Sequence, residues 1–312
     1  MNIKKLKGLI AAPFTPFDRS GALDVSKIPV YYRFLKDNHV TGAFISGSTG
    51  EGVSMTIDEK KAVNVAWAAC AAADADFKVI SLVGGNCLAE CKQLARHAVD
   101  TGLDAVAFTS PSYFKPKSAA VLAEMCIEIA AEVPDLPFYY YHVPVLTGAN
   151  FDMIHLLEQI DGRIPNFAGI KYTHEDFMDF QSCMNFAAGR YDMLWGRDEN
   201  MLSALVLGAE GAVGSTFNYA APLYHELIQA FKNNDLDKAR RLQQLAIDMI
   251  RLLGKYGGIS VGKAYMRLAG LDCGGFRLPV KNMDEMEFEV FKSDVAKLGF
   301  DTFKSHYPVN VP

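Results

Sequence analysis

The 312-residue chain carries 31 Lys and Arg against 36 Asp and Glu, a net charge of -5, with 50% hydrophobic and 21% charged residues. It is long enough to bury a large core and too apolar to be disordered. The acidic balance gives no footing for nucleic acid or an anionic membrane, and no apolar run reaches the length of a bilayer span, so a cytoplasmic protein acting on a small molecule is expected. The six cysteines, Cys70, Cys87, Cys91, Cys126, Cys183 and Cys273, form no CxxC pair. They read as reduced thiols, and the seven histidines show no metal spacing, so no metal is expected.

In chain order, Leu6 to Ala12 is a short apolar strand stopped by Pro13 and Pro16, and Val25 to Asp37 a helix with Ile28, Tyr31, Tyr32 and Leu35 on one face. A second strand, Gly42 to Ser46, runs straight into Gly47-Ser48-Thr49-Gly50-Glu51-Gly52. Thr56-Ile57-Asp58-Glu59 has capping-box spacing and opens a helix burying Val63, Ala66, Trp67 and Cys70. Strands are expected at Lys78 to Val83, Ala105 to Phe108 and Pro137 to Tyr141, with helices over Leu88 to Asp100, Ser118 to Glu132 and Asp152 to Ile160. The sixth strand is Phe167 to Thr173. Helix 176–186, strand Asp192 to Trp195, a short helix 199–207 and strand Gly211 to Val213 complete the series.

Eight strand–helix alternations predict an α/β protein with a (β/α)₈ TIM barrel over residues 1–225 and a C-terminal helical region over 226–312. A doubly wound open sheet is the alternative, but no strand-bound GxGxxG supports it. The helical region holds an amphipathic helix, Asp235 to Leu253, with a stripe of Leu242, Leu245, Ala246, Met249, Leu252 and Leu253, and helices at Val261 to Leu268 and Asp284 to Leu298. Gly257 to Lys263 fits GxxxxGK, yet Ala264 stands where Ser or Thr is needed and no strand precedes it, so it is read as a false nucleotide loop.

Catalysis in a barrel sits at the carboxyl ends of the strands. The residues there are Thr15, Ser48, Thr49, Tyr113, Tyr141, Lys171, Thr173, Gly196, Asp198, Glu199 and Ser215. Hydroxyls dominate, with one amine and one acidic pair. A lysine at the end of a buried strand is costly as an ammonium but nucleophilic as an amine, the state in which lysines form Schiff bases with ketones. Thr173 shares its side of an extended chain. A tyrosine can shuttle protons beside it, and Ser48 and Thr49 in a glycine-flanked turn can hold a carboxylate. Asp198 and Glu199 can accept from substrate hydroxyls, although acids also suit a helix start. The chemistry is that of a Schiff-base aldolase for a polyhydroxylated α-keto acid.

Gly47-Ser48-Thr49-Gly50-Glu51, Tyr141-x-x-Pro144, Gly169-Ile170-Lys171 and Gly211-Ala212-Val213-Gly214-Ser215, in matching order across the barrel, resemble the pyruvate-dependent aldolase family of N-acetylneuraminate lyase and dihydrodipicolinate synthase. The resemblance implies that Lys171 forms the imine with pyruvate, Tyr141 is the proton shuttle, Ser48 and Thr49 hold the pyruvyl carboxylate, and Tyr113 helps complete a neighbouring subunit's site in a homotetramer. The synthases usually carry an arginine two residues beyond the YxxP proline; here that residue is Leu146, which cannot pair a second carboxylate. Gly196-Arg197-Asp198-Glu199 resembles the lyase pattern that binds sugar hydroxyls, and Thr173 and Ser215 match lyase contacts. His142 departs from the asparagine of many relatives, and Ile259 aligns where some have phenylalanine. The implied reaction is reversible cleavage of N-acetylneuraminate, a sialic acid, to N-acetylmannosamine and pyruvate, with no cofactor beyond the lysine. Another pyruvate aldolase, or a non-catalytic keto-acid sensor, is the alternative.

Overall fold

The structure, a computed structural model, describes residues 4–307. Residues 308–312 of the expected helical region and 1–3 of the first unit lie outside the described residues. Eight parallel strands close into one barrel in sequence order: β1 (Gly8–Ala11), β2 (Gly42–Ile45), β3 (Lys78–Leu82), β4 (Ala105–Thr109), β5 (Phe138–His142), β6 (Phe167–Tyr172), β7 (Asp192–Trp195) and β8 (Gly211–Gly214). Closure comes from β1 against β8, with Gly8 opposite Gly211 and Ala11 opposite Gly214. The helices between strands are α1 (Ile28–Asp37), α2 (Ile57–Ala71), α3 (Leu88–Asp100), α4 (Ala119–Ala130), the single turn α5 (Pro144–Thr147), α6 (Met153–Ile160), α7 (Phe177–Asn185) and α8 (Met201–Val206). The expected TIM barrel is therefore present.

Local signals explain most boundaries. Thr56 Oγ1 accepts from the Glu59 amide while the Glu59 carboxylate accepts from the Thr56 amide, the reciprocal cap that starts α2. The alternation of strand side chains divides the core in two. Ile10, Phe44, Ile80, Ala107, Tyr139, Tyr141 and Leu194 fill the barrel interior, whereas Phe108, Tyr140, Ile170 and Tyr172 point outward into the helix layer. Tyr139 is more than packing: its hydroxyl donates to buried Asp192 at 2.9 Å.

α9 (Phe217–Lys232) continues past the expected boundary at residue 225, so the helical extension begins after it. That extension comprises α10 (Leu236–Lys255), α11 (Val261–Leu268) and α12 (Glu285–Lys297). The stripe of α10 is shallower than expected: Ala239, Gln243, Ala246 and Met249 are buried, and the leucines are half-buried. Likewise Asn64, rather than Ala66 or Cys70, joins Val63 and Trp67 as a fully buried residue of α2.

Candidate active site

Register brings the amine and the phenol together. Tyr141 on β5 lies directly opposite Lys171 on β6, and both side chains enter the barrel interior. Lys171 Nζ sits 4.1 Å from the Tyr141 ring centroid and 4.0 Å from that of Phe44 on β2, so aromatic faces replace water around it. The residue is 4% exposed. Burial drives its pKa down to about 7, opposed only by the negative charge of Asp198. A substantial share of the side chain is thus the nucleophilic amine at neutral pH. No ion pair is recorded at Lys171 among the described residues.

Burial raises the Tyr141 pKa, and the hydroxyls of Ser48 and then Thr173 oppose that rise. The phenol therefore faces hydroxyls from the β2 and β6 loops. Thr173 Oγ1 is buried, and apart from the Tyr141 phenol it has no hydrogen-bond partner among the described residues. Gly196 gives it room, because a Cβ there would overlap Thr173 Oγ1. Ser48 is half-buried and Thr49 buried in the turn after β2. That turn is held at both ends: Thr15 Oγ1 donates to the Gly50 carbonyl at 2.6 Å, and Glu51, in the left-handed region at φ 56°, points its carboxylate away from the site.

Glu51 accepts from Lys263 Nζ of α11 at 2.9 Å and from the Arg277 amide at 2.8 Å. The pair is almost fully buried, each side chain being 3% exposed, and the Lys263 ammonium also lies over the rings of Phe17 and Phe276. The lysine of the false nucleotide loop is therefore a structural counter-ion beneath the GSTGE turn. Its one sequence signal was a cation on an otherwise apolar helix face.

On the far side, Asp198 is buried and accepts the Thr216 amide at 2.9 Å and hydroxyl at 2.6 Å, both on Oδ2. Gly214 at the end of β8 leaves space for this carboxylate, which a Cβ would overlap. Burial lifts its pKa to about 6, and neighbouring Glu199 adds to the rise, whereas Lys171 and the Thr216 bonds counter it. Asp198 and Glu199 do start a short helical turn, 198–200, as the plainer reading of an acidic pair expects, but the Asp198 carboxylate is buried on Thr216 and its charge acts on Lys171. Ser215 follows β8 at the same end, half-buried.

Tyr113 is the exception. It is 79% exposed, its ring packed edge-on against that of equally exposed Phe114 at 5.0 Å, and no contact to Lys171 is formed in its own chain. Leu146 is also exposed beyond the YxxP turn. His142, buried behind Tyr141 against Tyr172 and His174, has neither ring nitrogen hydrogen-bonded, and burial pushes its pKa to about 3. A cavity of about 820 Å³ opens at the opposite, amino-terminal end of the strands, lined by Lys5, Lys7, Lys78 and Tyr139, and is not this site.

A buried amine beside a phenol, flanked by hydroxyls and a carboxylate, suits imine chemistry on a keto acid. The family model that matches residues 5–298 is that of the dihydrodipicolinate synthetase family. The chain belongs to that family. Among curated relatives, N-acetylneuraminate lyase of Danio rerio is 39% identical over 282 residues, 89% of this chain and 92% of that protein. Among solved structures, Proteus mirabilis N-acetylneuraminate lyase superposes with a TM-score of 0.92 at 36% identity, covering 95% of this chain and 100% of that one. A Bacillus anthracis dihydrodipicolinate synthase gives a TM-score of 0.86 at 27% identity, covering 93% and 97%. Within the family, the stronger similarity is to the lyases.

Proposed function

We propose that this member of the dihydrodipicolinate synthetase family is a class I aldolase that cleaves N-acetylneuraminate reversibly to N-acetylmannosamine and pyruvate. The observation that carries the reading is the amine of Lys171, held dry between Phe44 and Tyr141 with its pKa near 7. In the scheme, Lys171 Nζ adds to the C2 ketone of the open-chain sugar acid and water leaves, giving an iminium. Tyr141 gives its phenolic proton to the departing water and, as phenolate beside the iminium, takes the proton of the C4 hydroxyl as the C3–C4 bond breaks; the bonding pair passes into the iminium to form an enamine. N-Acetylmannosamine departs with its new aldehyde; protonation of the enamine at C3 and hydrolysis release pyruvate. The iminium is the electron sink, so the scheme draws on no metal or organic cofactor.

Ser48 and Thr49 hold the carboxylate of the substrate and Ser48 relays protons to Tyr141, as the Ser48 hydroxyl beside the phenol supports. Thr173, Gly196, Asp198, Glu199 and Ser215 line the path of the sugar hydroxyls. The exposure of Tyr113 supports its use in a neighbouring subunit of a homotetramer, which sedimentation would count. No described helix is long and apolar enough to cross a membrane, and a cytoplasmic location is part of the proposal. A second-carboxylate substrate is disfavoured because exposed Leu146 offers no cation.

The test is pyruvate release from N-acetylneuraminate, coupled to lactate dehydrogenase. Steady release from the wild type, abolished in Lys171→Ala with the fold retained, is the expected result. Retained cleavage by that variant overturns the assignment, and a wild type that traps pyruvate with borohydride but leaves the sugar intact keeps the imine and discards the substrate.

A further inference from the structure

Beyond the lysine, two loops carry polar groups that the fold itself leaves unused. They follow β6 and β7, at residues 173–176 and 196–200. Among the described residues, Arg197 Nε and Asn200 Oδ1 of the β7 loop are buried without a hydrogen bond, and Thr173 Oγ1 of the β6 loop has only the Tyr141 phenol beside it. An unmade buried hydrogen bond is costly unless something else completes it, and a ligand arriving at this end of the barrel does so.

Arg197 organises the pair of loops. Its Nη2 lies 2.8 Å from Glu175 Oε1 on the β6 loop and 2.6 Å from Glu199 Oε1 on its own. Asn200 Nδ2 reaches the same Glu175 oxygen at 3.4 Å. The backbone beneath is pinned, because Trp195 Nε1 donates to the Arg197 carbonyl at 2.6 Å, and the Trp195 ring is stacked between those of Tyr172 and Phe177. One cation thus fixes two carboxylates from two strand ends on a rigid aromatic base. Glu199 alone, about one-third exposed at its side chain, would have several rotamers to choose from.

We propose that Arg197 is a positioning and specificity residue: by holding Glu199 against Glu175, it sets the acceptor that reads the hydroxyls at the distal end of the substrate chain. This rests on the aldolase reading above and deepens it. Among the described residues, Arg197 pairs with Glu175 and Glu199 and with no group at Lys171, so the clamp selects among substrates by their hydroxyl chain. Both carboxylates meet the same nitrogen, Nη2, whose two protons serve one acceptor each.

The experiment compares wild type, Arg197→Met and Arg197→Lys on two substrates, N-acetylneuraminate and a six-carbon 2-keto-3-deoxy sugar acid too short to reach the clamp, with pyruvate–borohydride trapping alongside. Arg197→Met is expected to raise KM for the nine-carbon substrate about tenfold to hundredfold, the ratio for loss of a hydrogen bond to a charged group, with kcat nearly unchanged. Trapping and the short substrate stay at wild-type values, and Arg197→Lys falls between. If both substrates lose activity alike, or kcat falls while KM holds, Arg197 is only a structural strut and the proposal is overturned. A wild type that traps pyruvate but cleaves no N-acetylneuraminate sinks the function reading itself, an outcome distinct from either.

Discussion

Asp198→Asn tests how the nucleophile is prepared. An ordinary lysine near pKa 10.5 is amine in only about one molecule in three thousand at pH 7, whereas Lys171, brought down to about 7, is amine in roughly half. Burial causes the fall and Asp198 opposes it, so removing the carboxylate must lower the lysine further. A charge lost from a partly desolvated site is worth about 1–2 kcal/mol, or about one pH unit. Asp198 itself titrates near 6, so the two groups are coupled, and the wild-type profile should be drawn out over more than one pH unit. The assay is the initial rate of borohydride trapping with pyruvate from pH 5 to 9, which needs no sugar hydroxyl and so isolates the amine. Asp198→Asn should give a single steeper step at lower pH, trapping about two- to fivefold faster at pH 6 and equally fast at pH 8.5. A midpoint that stays put or moves upward, in protein with unchanged thermal unfolding, refutes the electrostatic account of Lys171.

Three further perturbations separate the roles around it. Tyr141→Phe should still trap pyruvate while kcat for cleavage falls about 10²- to 10⁴-fold, since only proton transfer is lost. Gly196→Ala drives a methyl into Thr173 Oγ1, and kcat/KM should drop about tenfold or more with a modest loss of stability; full activity would mean the Thr173 hydroxyl is unused. Glu51→Gln leaves the Lys263 ammonium buried without its counter-ion and should cost about 3–5 kcal/mol in urea unfolding, much of it recovered in Glu51→Gln/Lys263→Met, which removes both charges. Additive losses in that double variant would contradict a direct pair.

How much of this was legible in the sequence depends on the kind of physics involved. Strand ends and the capping box at Thr56 follow from local period and chain order, whereas Tyr141 was put with Lys171 by the family resemblance and the register of β5 on β6 supplies the physical pairing. The lysine's preparation was legible only in kind. A strand-end position said it would be dry, but Phe44, whose ring lies over Nζ, stands 127 residues earlier in the chain (171 − 44), and its interior-facing place depends on barrel closure. The Glu51–Lys263 pair was hidden for the same reason: the GxxxxGK spacing that contains Lys263 was read as a false nucleotide loop, which left the lysine without a role. Tyr113 marks the opposite limit. The role proposed for it needs a second chain, and neither its own sequence neighbourhood nor one chain's geometry brings it to the amine. Arg197 lies between these cases: its spacing beside Asp198 and Glu199 was visible, but the partner that turns it into a clamp, Glu175, sits on the preceding loop. Two carboxylates converge on one cation only when β6 and β7 stand side by side, which is why the distal specificity of the site belongs to the fold and not to any single motif.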